Sequence, residues 1–141
     1  MHSGTLPLVH AAATWFMAGL IWFVQIVHYP LFARVGEGGF RDYQLAHQSL
    51  VTFVVGPAML VEAVAAGLLL FNRRDPWTVF GAALLAVVWA STAFLQVPLH
   101  NALSDGFNAE AHARLVQTNW IRTLGWTARA AVALHALRAT E

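Results

Sequence analysis

Residues 21–30, IWFVQIVHYP, decide how the chain is read: a long apolar run carries Gln25 and then His28 just before a proline. Residues 93–101, AFLQVPLHN, repeat the plan, with Gln96 and His100 closing another apolar run. Both runs belong to charge-poor blocks. Residues 6–27 and 77–99 hold no Asp, Glu, Lys or Arg, and 49–71 hold only Glu62. Each block exceeds the ~18 to 20 residues that cross a hydrocarbon core. A fourth, 115–137, is interrupted by Arg122 and Arg129. The fold class is therefore all-α. One integral membrane domain is expected over residues 1–141, a bundle of four transmembrane helices at about 6–29, 49–71, 77–99 and 115–137.

Composition narrows the function classes. A chain that is 58% hydrophobic and 11% charged could be one soluble domain, but its apolar residues come in blocks rather than in an amphipathic pattern. The absence of cysteine excludes disulfides, thiolate catalysis and Cys-ligated metals. A formal net charge of +1 gives no footprint for nucleic acid, so the lipid bilayer is the expected partner. The first block lacks a basic n-region and a small-residue cleavage site, and it is expected to be retained rather than cleaved as a signal peptide.

FVQIVH and FLQVPLH suggest two parallel helix-hairpin repeats about an axis along the membrane normal. The breaks between spans are expected at Pro30 with the glycine-rich 36–39 and polar 41–48, at the turn 72–76, and at the polar loop 100–112. This topology places His28, His47, His100 and His112 at one face, and His2, His10 and His135 at the other. Trp15, Trp22 and Tyr29 recur every seven residues and are expected to share a helix face.

Polar residues inside the blocks should face the bundle interior, because a charge near the middle of a spanning helix costs about 2.5 to 3.5 kcal/mol. Glu62 and Arg129 come out at similar depth and are expected to form a structural ion pair. Asn119, Arg122, Trp126 and Arg129 fall on one stripe of the fourth helix. Gln25 and Gln96 lie at the depth of Asn119 and Arg122, suited to interhelical hydrogen bonds or to a pocket. The four histidines on one face point to a site, because neutral imidazole binds metals and also suits acid–base work near neutrality. A metal set of His28, His47, His100 and His112 with iron, copper or haem, or a site without any cofactor, both fit the pattern.

The helix-ending His28, Tyr29 and Pro30, the P-x-x-N of Pro98 and Asn101, and the N-W-x-R-T of Asn119, Trp120, Arg122 and Thr123 carry a resemblance. Over nearly its whole length the chain resembles the anthrone oxygenase-like family of small four-helix membrane proteins, most of which have no assigned function. To that pattern this chain adds His47, His100 and His112. The resemblance implies an oxygen-dependent oxidoreductase that oxidises a flat lipophilic phenol at an activated CH2. His28 or His100 would act as base, and Arg122 with Asn119 or Gln96 would stabilise the enolate oxygen. Trp22 and Trp120 would hold the planar ring, in a pocket completed by Gln25 and Asn101. Two other classes remain open: a haem- or metal-binding membrane protein without enzymatic activity, and an accessory subunit of a membrane complex. The apolar helix surfaces with small residues would also permit a homodimer. Adjacent Arg73 and Arg74 favour a multi-pass protein of the bacterial inner membrane with both termini cytoplasmic.

Overall fold

The computed structural model describes residues 4–138, so His2 lies outside the described residues. Four helical elements run in sequence: α1 (Thr5–Arg34), α2 (Glu37–Asn72), α3 (Pro76–Ala102) and α4 (Ala109–Arg138). Three of them, α1 to α3, are long and apolar enough to cross a membrane. The fourth is 30 residues long and packs in the same bundle, but Glu110, Arg114, Arg122, Arg129 and Arg138 set it apart in composition. Helix α1 packs on both α2 and α4, and α4 packs in turn on α3. The α2–α3 seam, although formed by helices consecutive in sequence, is the thinnest of the four.

The surface is inverted relative to a soluble bundle. Phe53, Phe71 and Phe94 are 76%, 78% and 78% exposed, whereas Gln25, Gln44, Glu62, Gln96, Asn119 and Arg129 are buried. Helices apolar on the outside and polar within suit a lipid environment, in which every polar group must find its partner inside the bundle.

Three expected boundaries are corrected. Pro30 does not end the first helix, which continues through a 3-10 turn to Arg34. The second helix begins at Glu37 rather than near 49, because Phe40, Gln44 and His47 sit at i, i+4 and i+7 and bury one continuous face. Gly36, at φ +85, makes the reversal between α1 and α2 in a conformation that disfavours other residues. The third helix extends past Pro98 to Ala102, so His100 and Asn101 are helical rather than in a loop.

Both prolines are tolerated for one reason. A π-helical turn, Val24–His28 in α1 and Thr92–Gln96 in α3, precedes each of them, closed by Tyr29 N–H to Val24 O and Val97 N–H to Thr92 O. The widened turn accommodates a ring that lacks an N–H and would otherwise crowd the preceding carbonyls. One extra residue per turn also rotates the downstream face by about 100°. Trp15 and Trp22 are therefore exposed while Tyr29 is 3% exposed, and the seven-residue stripe expected to share one face is split.

Helices α3 and α4 approach closely at Gly125, where an added Cβ would lie 2.6 Å from Val88 Cγ2. Gly125→Ala gains about 1 kcal/mol of helix propensity but overpacks a buried seam, which costs roughly 1–3 kcal/mol. A lowered melting temperature is expected, with a smaller drop for Gly81→Ala, whose Cβ would sit 3.3 Å from Val132 Cγ1. An unchanged Gly125→Ala melting temperature would contradict this packing.

Asp75 caps α3. Its Oδ1 accepts from Trp77 N–H (3.0 Å) and Thr78 N–H (3.1 Å), and Oδ2 accepts from Thr78 Oγ1 (2.6 Å). The Thr78 hydroxyl holds this carboxyl below its ordinary value of 3.8. A depressed folded-state pKa stabilises above the unfolded value and is lost as pH falls through the folded one. Asp75→Ala should cost about 1 kcal/mol at neutral pH as a lost N-cap, and only the charge-dependent part of that cost should disappear as pH falls through the Asp75 pKa, as followed by thermal unfolding across pH.

Candidate functional site

The π-turns, the α2 face and the inner stripe of α4 converge on one polar layer. His100 is fixed from two sides: its Nε2 lies 2.9 Å from the Tyr29 hydroxyl, and its Nδ1 lies 3.0 Å from Gln44 Nε2. Gln44 and Gln48 also donate to the His100 carbonyl, at 3.1 and 2.9 Å. His28 Nε2 and His47 Nδ1 are 2.9 Å apart, and the His47 ring stands 5.2 Å from that of His100. Phe32, fully buried, forms the hub, with its ring 5.1 to 5.2 Å from His47 and His28 and 5.4 Å from Tyr29. Burial of one apolar ring among polar ones leaves the imidazoles few alternative positions.

Beside this layer lies a cavity of about 220 Å³ between α1, α2 and α3. Met17, Leu20, Ile21, Val24, Val51 and Val55 make it apolar, while Tyr29, His47, His100 and Arg122 gather at its polar end with Thr92 and Gln96 alongside. His47 also lines a second, outer cleft between α1 and α2, and His28 lines only that cleft. The His28–His47 pair therefore separates the two spaces. When His47 Nδ1–H donates to His28 Nε2, the lone pair of His47 Nε2 remains available, and no hydrogen bond among the described residues occupies it. Such a histidine, oriented by a neighbour, suits proton abstraction.

Arg122 is 7% exposed and no carboxylate pairs with it among the described residues. Its guanidinium lies 5.5 Å above the Trp126 ring and close to the Tyr29 hydroxyl, and its Nε has no hydrogen-bond partner. A desolvated cation–π contact supplies about 2 kcal/mol or more, which offsets much of the roughly 2.5–3.5 kcal/mol that such a charge costs within a membrane but gives the Arg122 Nε no acceptor. The nearest buried acid is already engaged. Glu62 Oε1 accepts from Arg129 Nε at 3.0 Å and Oε2 from Trp126 Nε1 at 2.9 Å. Arg129 also donates to the Gly81 carbonyl and faces His10 Nε2 at 3.3 Å, completing a separate ionic cluster that ties α1, α2, α3 and α4 together.

The other residues singled out from the sequence take different places. Gln25 belongs to an α1–α4 hydrogen-bond cluster: its Oε1 accepts from Asn119 Nδ2 (2.9 Å) and Thr123 Oγ1 (3.2 Å), and its Nε2 donates to Val116 O (3.1 Å). Neither Gln25 nor Asn119 lines the cavity; Gln25 continues the buried stripe of Thr14, Ala18 and Ile21 and hydrogen-bonds to α4. Gln96 does line it, held by Ser91 Oγ (2.9 Å) and Thr118 Oγ1 (3.0 Å). Trp22 and Trp120 meet edge-to-face at 5.7 Å on the outer surface, each 40% exposed, so they do not enclose a ring in the pocket. Asn101 is exposed beyond the end of the cavity.

The four histidines do not converge as ligands. His112 Nε2 donates to the Tyr29 carbonyl at 2.8 Å from the far side of Phe32, and both ring nitrogens of His100 are engaged. No group of three or more His, Cys, Asp or Glu among the described residues is arranged to hold a metal ion. A three- or four-histidine iron or copper centre therefore has no ligand set among the described residues.

Tyr29, Gln44 and Gln48 are site residues that sequence reasoning missed. The signal for the two glutamines was their i, i+4 spacing along 41–48, a stretch taken as loop; Tyr29 gave none, since only the π-turn brings it inward. No protein-family model matches the chain, and neither the curated proteins nor the solved structures contain a match.

Proposed function

We propose that this chain is a multi-pass membrane protein whose four helices all cross the bilayer, and that it oxidises a lipophilic aromatic molecule with dioxygen at the Arg122 cavity. The observation that supports this most is the meeting of an available imidazole and a buried, acid-free guanidinium at the polar end of an apolar space. The π-turns, beginning at Val24 and Thr92, each six residues before a proline, support two parallel repeats, and the termini and the Arg73–Arg74 turn would then share the cytoplasmic face. The resemblance to anthrone oxygenase-like proteins supplies the reaction class.

His47 Nε2 takes the proton from the activated CH2, and Arg122 with the Tyr29 hydroxyl stabilises the enolate oxygen that results. The carbanion carbon bonds to O2, accepts a proton as the hydroperoxide, and loses water to leave a ketone. One CH2 and one O2 thus become one C=O and one H2O. This chain needs only to bind, deprotonate and exclude bulk water. Oxygen uptake by the purified protein with a planar phenol bearing an activated CH2 tests the reading. Stoichiometric uptake that falls about 100-fold in Arg122→Gln is expected, and uptake no faster than the uncatalysed background would refute it.

A further inference from the structure

We propose that the cavity selects for a single negative charge, held by Arg122 at one end of a lipophilic ligand, and that ligands enter sideways from the bilayer between α2 and α3; His47 forms that charge in place on the substrate, whereas an inert carboxylate brings it. The inference rests on the membrane placement and site proposed above and names the ionic form and route of the ligand.

Arg122 is 93% buried by its 7% exposure, its Nε is unpartnered, and Glu62 is committed to Arg129 and Trp126. It is the single cation lining the cavity, which sets the complementary charge at one. The Tyr29 hydroxyl beside it can donate to the remaining oxygen of a carboxylate or a phenolate, since His100, which accepts from Gln44 at Nδ1, is left to donate to Tyr29 from Nε2. A more highly charged headgroup would lack a counter-ion there. The remaining walls are aliphatic, so the rest of the ligand is apolar.

The route follows from where the lining residues are exposed. Thr52 and Gly56 on α2 and Val97 on α3 line the cavity and are themselves exposed, in the seam where helix packing is thinnest. Phe53 on α2 and Phe94 on α3 are strongly exposed as well. The opening therefore faces the apolar belt, not a loop. At Gly56 an added Cβ meets nothing closer than Thr52 Cγ2 at 3.9 Å, so the missing side chain leaves the mouth clear rather than serving a close helix contact.

The test uses the full chain in lipid nanodiscs with 2-naphthoate and its neutral methyl ester, neither of which has the CH2 needed for turnover. After subtraction of partitioning into empty nanodiscs, the carboxylate should bind about 10- to 100-fold more tightly than the ester. Arg122→Gln should abolish that preference and Arg122→Lys should keep part of it. Gly56→Leu should slow carboxylate association at least about 10-fold, because the new side chain fills the mouth. Equal binding of the two probes by the unaltered protein overturns the anion site, whether or not the variants fold. An unchanged association rate in Gly56→Leu overturns the lateral route. Oxygen uptake without anion preference would sink this proposal and leave the oxidase reading standing; anion preference without oxygen uptake would do the reverse.

Discussion

Glu62→Leu is expected to destabilise the protein by about 3–5 kcal/mol, the largest effect of any single substitution in the bundle. The carboxylate joins Arg129 on α4 at 3.0 Å and Trp126 at 2.9 Å, with both partners 1% exposed or less. Its removal strands a guanidinium in the interior, and an uncompensated buried charge costs far more than an intact pair contributes. Arg129→Met should be damaging for the converse reason, and it also releases the Gly81 carbonyl and His10. The double variant should recover most of the loss, because two well-packed apolar side chains replace two charges that no longer need each other. Thermal unfolding of the four proteins in one detergent measures this. Additive losses in the double variant would show that the pair is not energetically coupled.

His47→Ala is expected to lower turnover by about 10²- to 10⁴-fold, the range for loss of a positioned general base. His47 is the histidine that both lines the Arg122 cavity and keeps a ring nitrogen unoccupied among the described residues. In the proposed reaction His28, which lines only the outer cleft, acts through His47. His28→Ala should therefore reduce kcat by up to about 100-fold through misorientation of His47 while leaving KM nearly unchanged. His28→Gln, which can still accept from His47 Nδ1–H, should restore part of the rate. A KM effect with kcat intact would instead place His28 on the substrate. Equal losses in His28→Ala and His28→Gln would remove the orienting role.

The blocks of apolar sequence announce the helices because a run without charges has few other stable solutions. Glu62 and Arg129 were legible as partners for a related reason: a charge at that depth needs an opposite one at the same depth. The stripe of Asn119, Arg122, Trp126 and Arg129 likewise follows from helical periodicity, and all four are buried. The polar stretch 41–48 resembles a loop, whereas it is helical, with Gln44 and Gln48 packed inward onto His100 and Ser104 and Arg41 and Asp42 exposed. Trp22 and Trp120 looked like ring-binding residues and pack on each other outside, since aromatic character alone carries no direction.

The sequence by itself determined an all-helical chain and a set of polar side chains too costly to face lipid, and it led to four spans, of which the structure carries three on helices long and apolar enough to cross a membrane. Only the tertiary structure decided which of those side chains meet. Two π-turns shift the helical register by one residue each, and the first turns Tyr29 inward, a shift that no side-chain periodicity encodes. Phe32 keeps His112 apart from the other three histidines, and the engagement of Glu62 by α4 leaves Arg122 without an acid. A hydrogen bond or an ion pair forms at about 3 Å, and helix register and crossing set distances on that scale, which residue order along the chain does not.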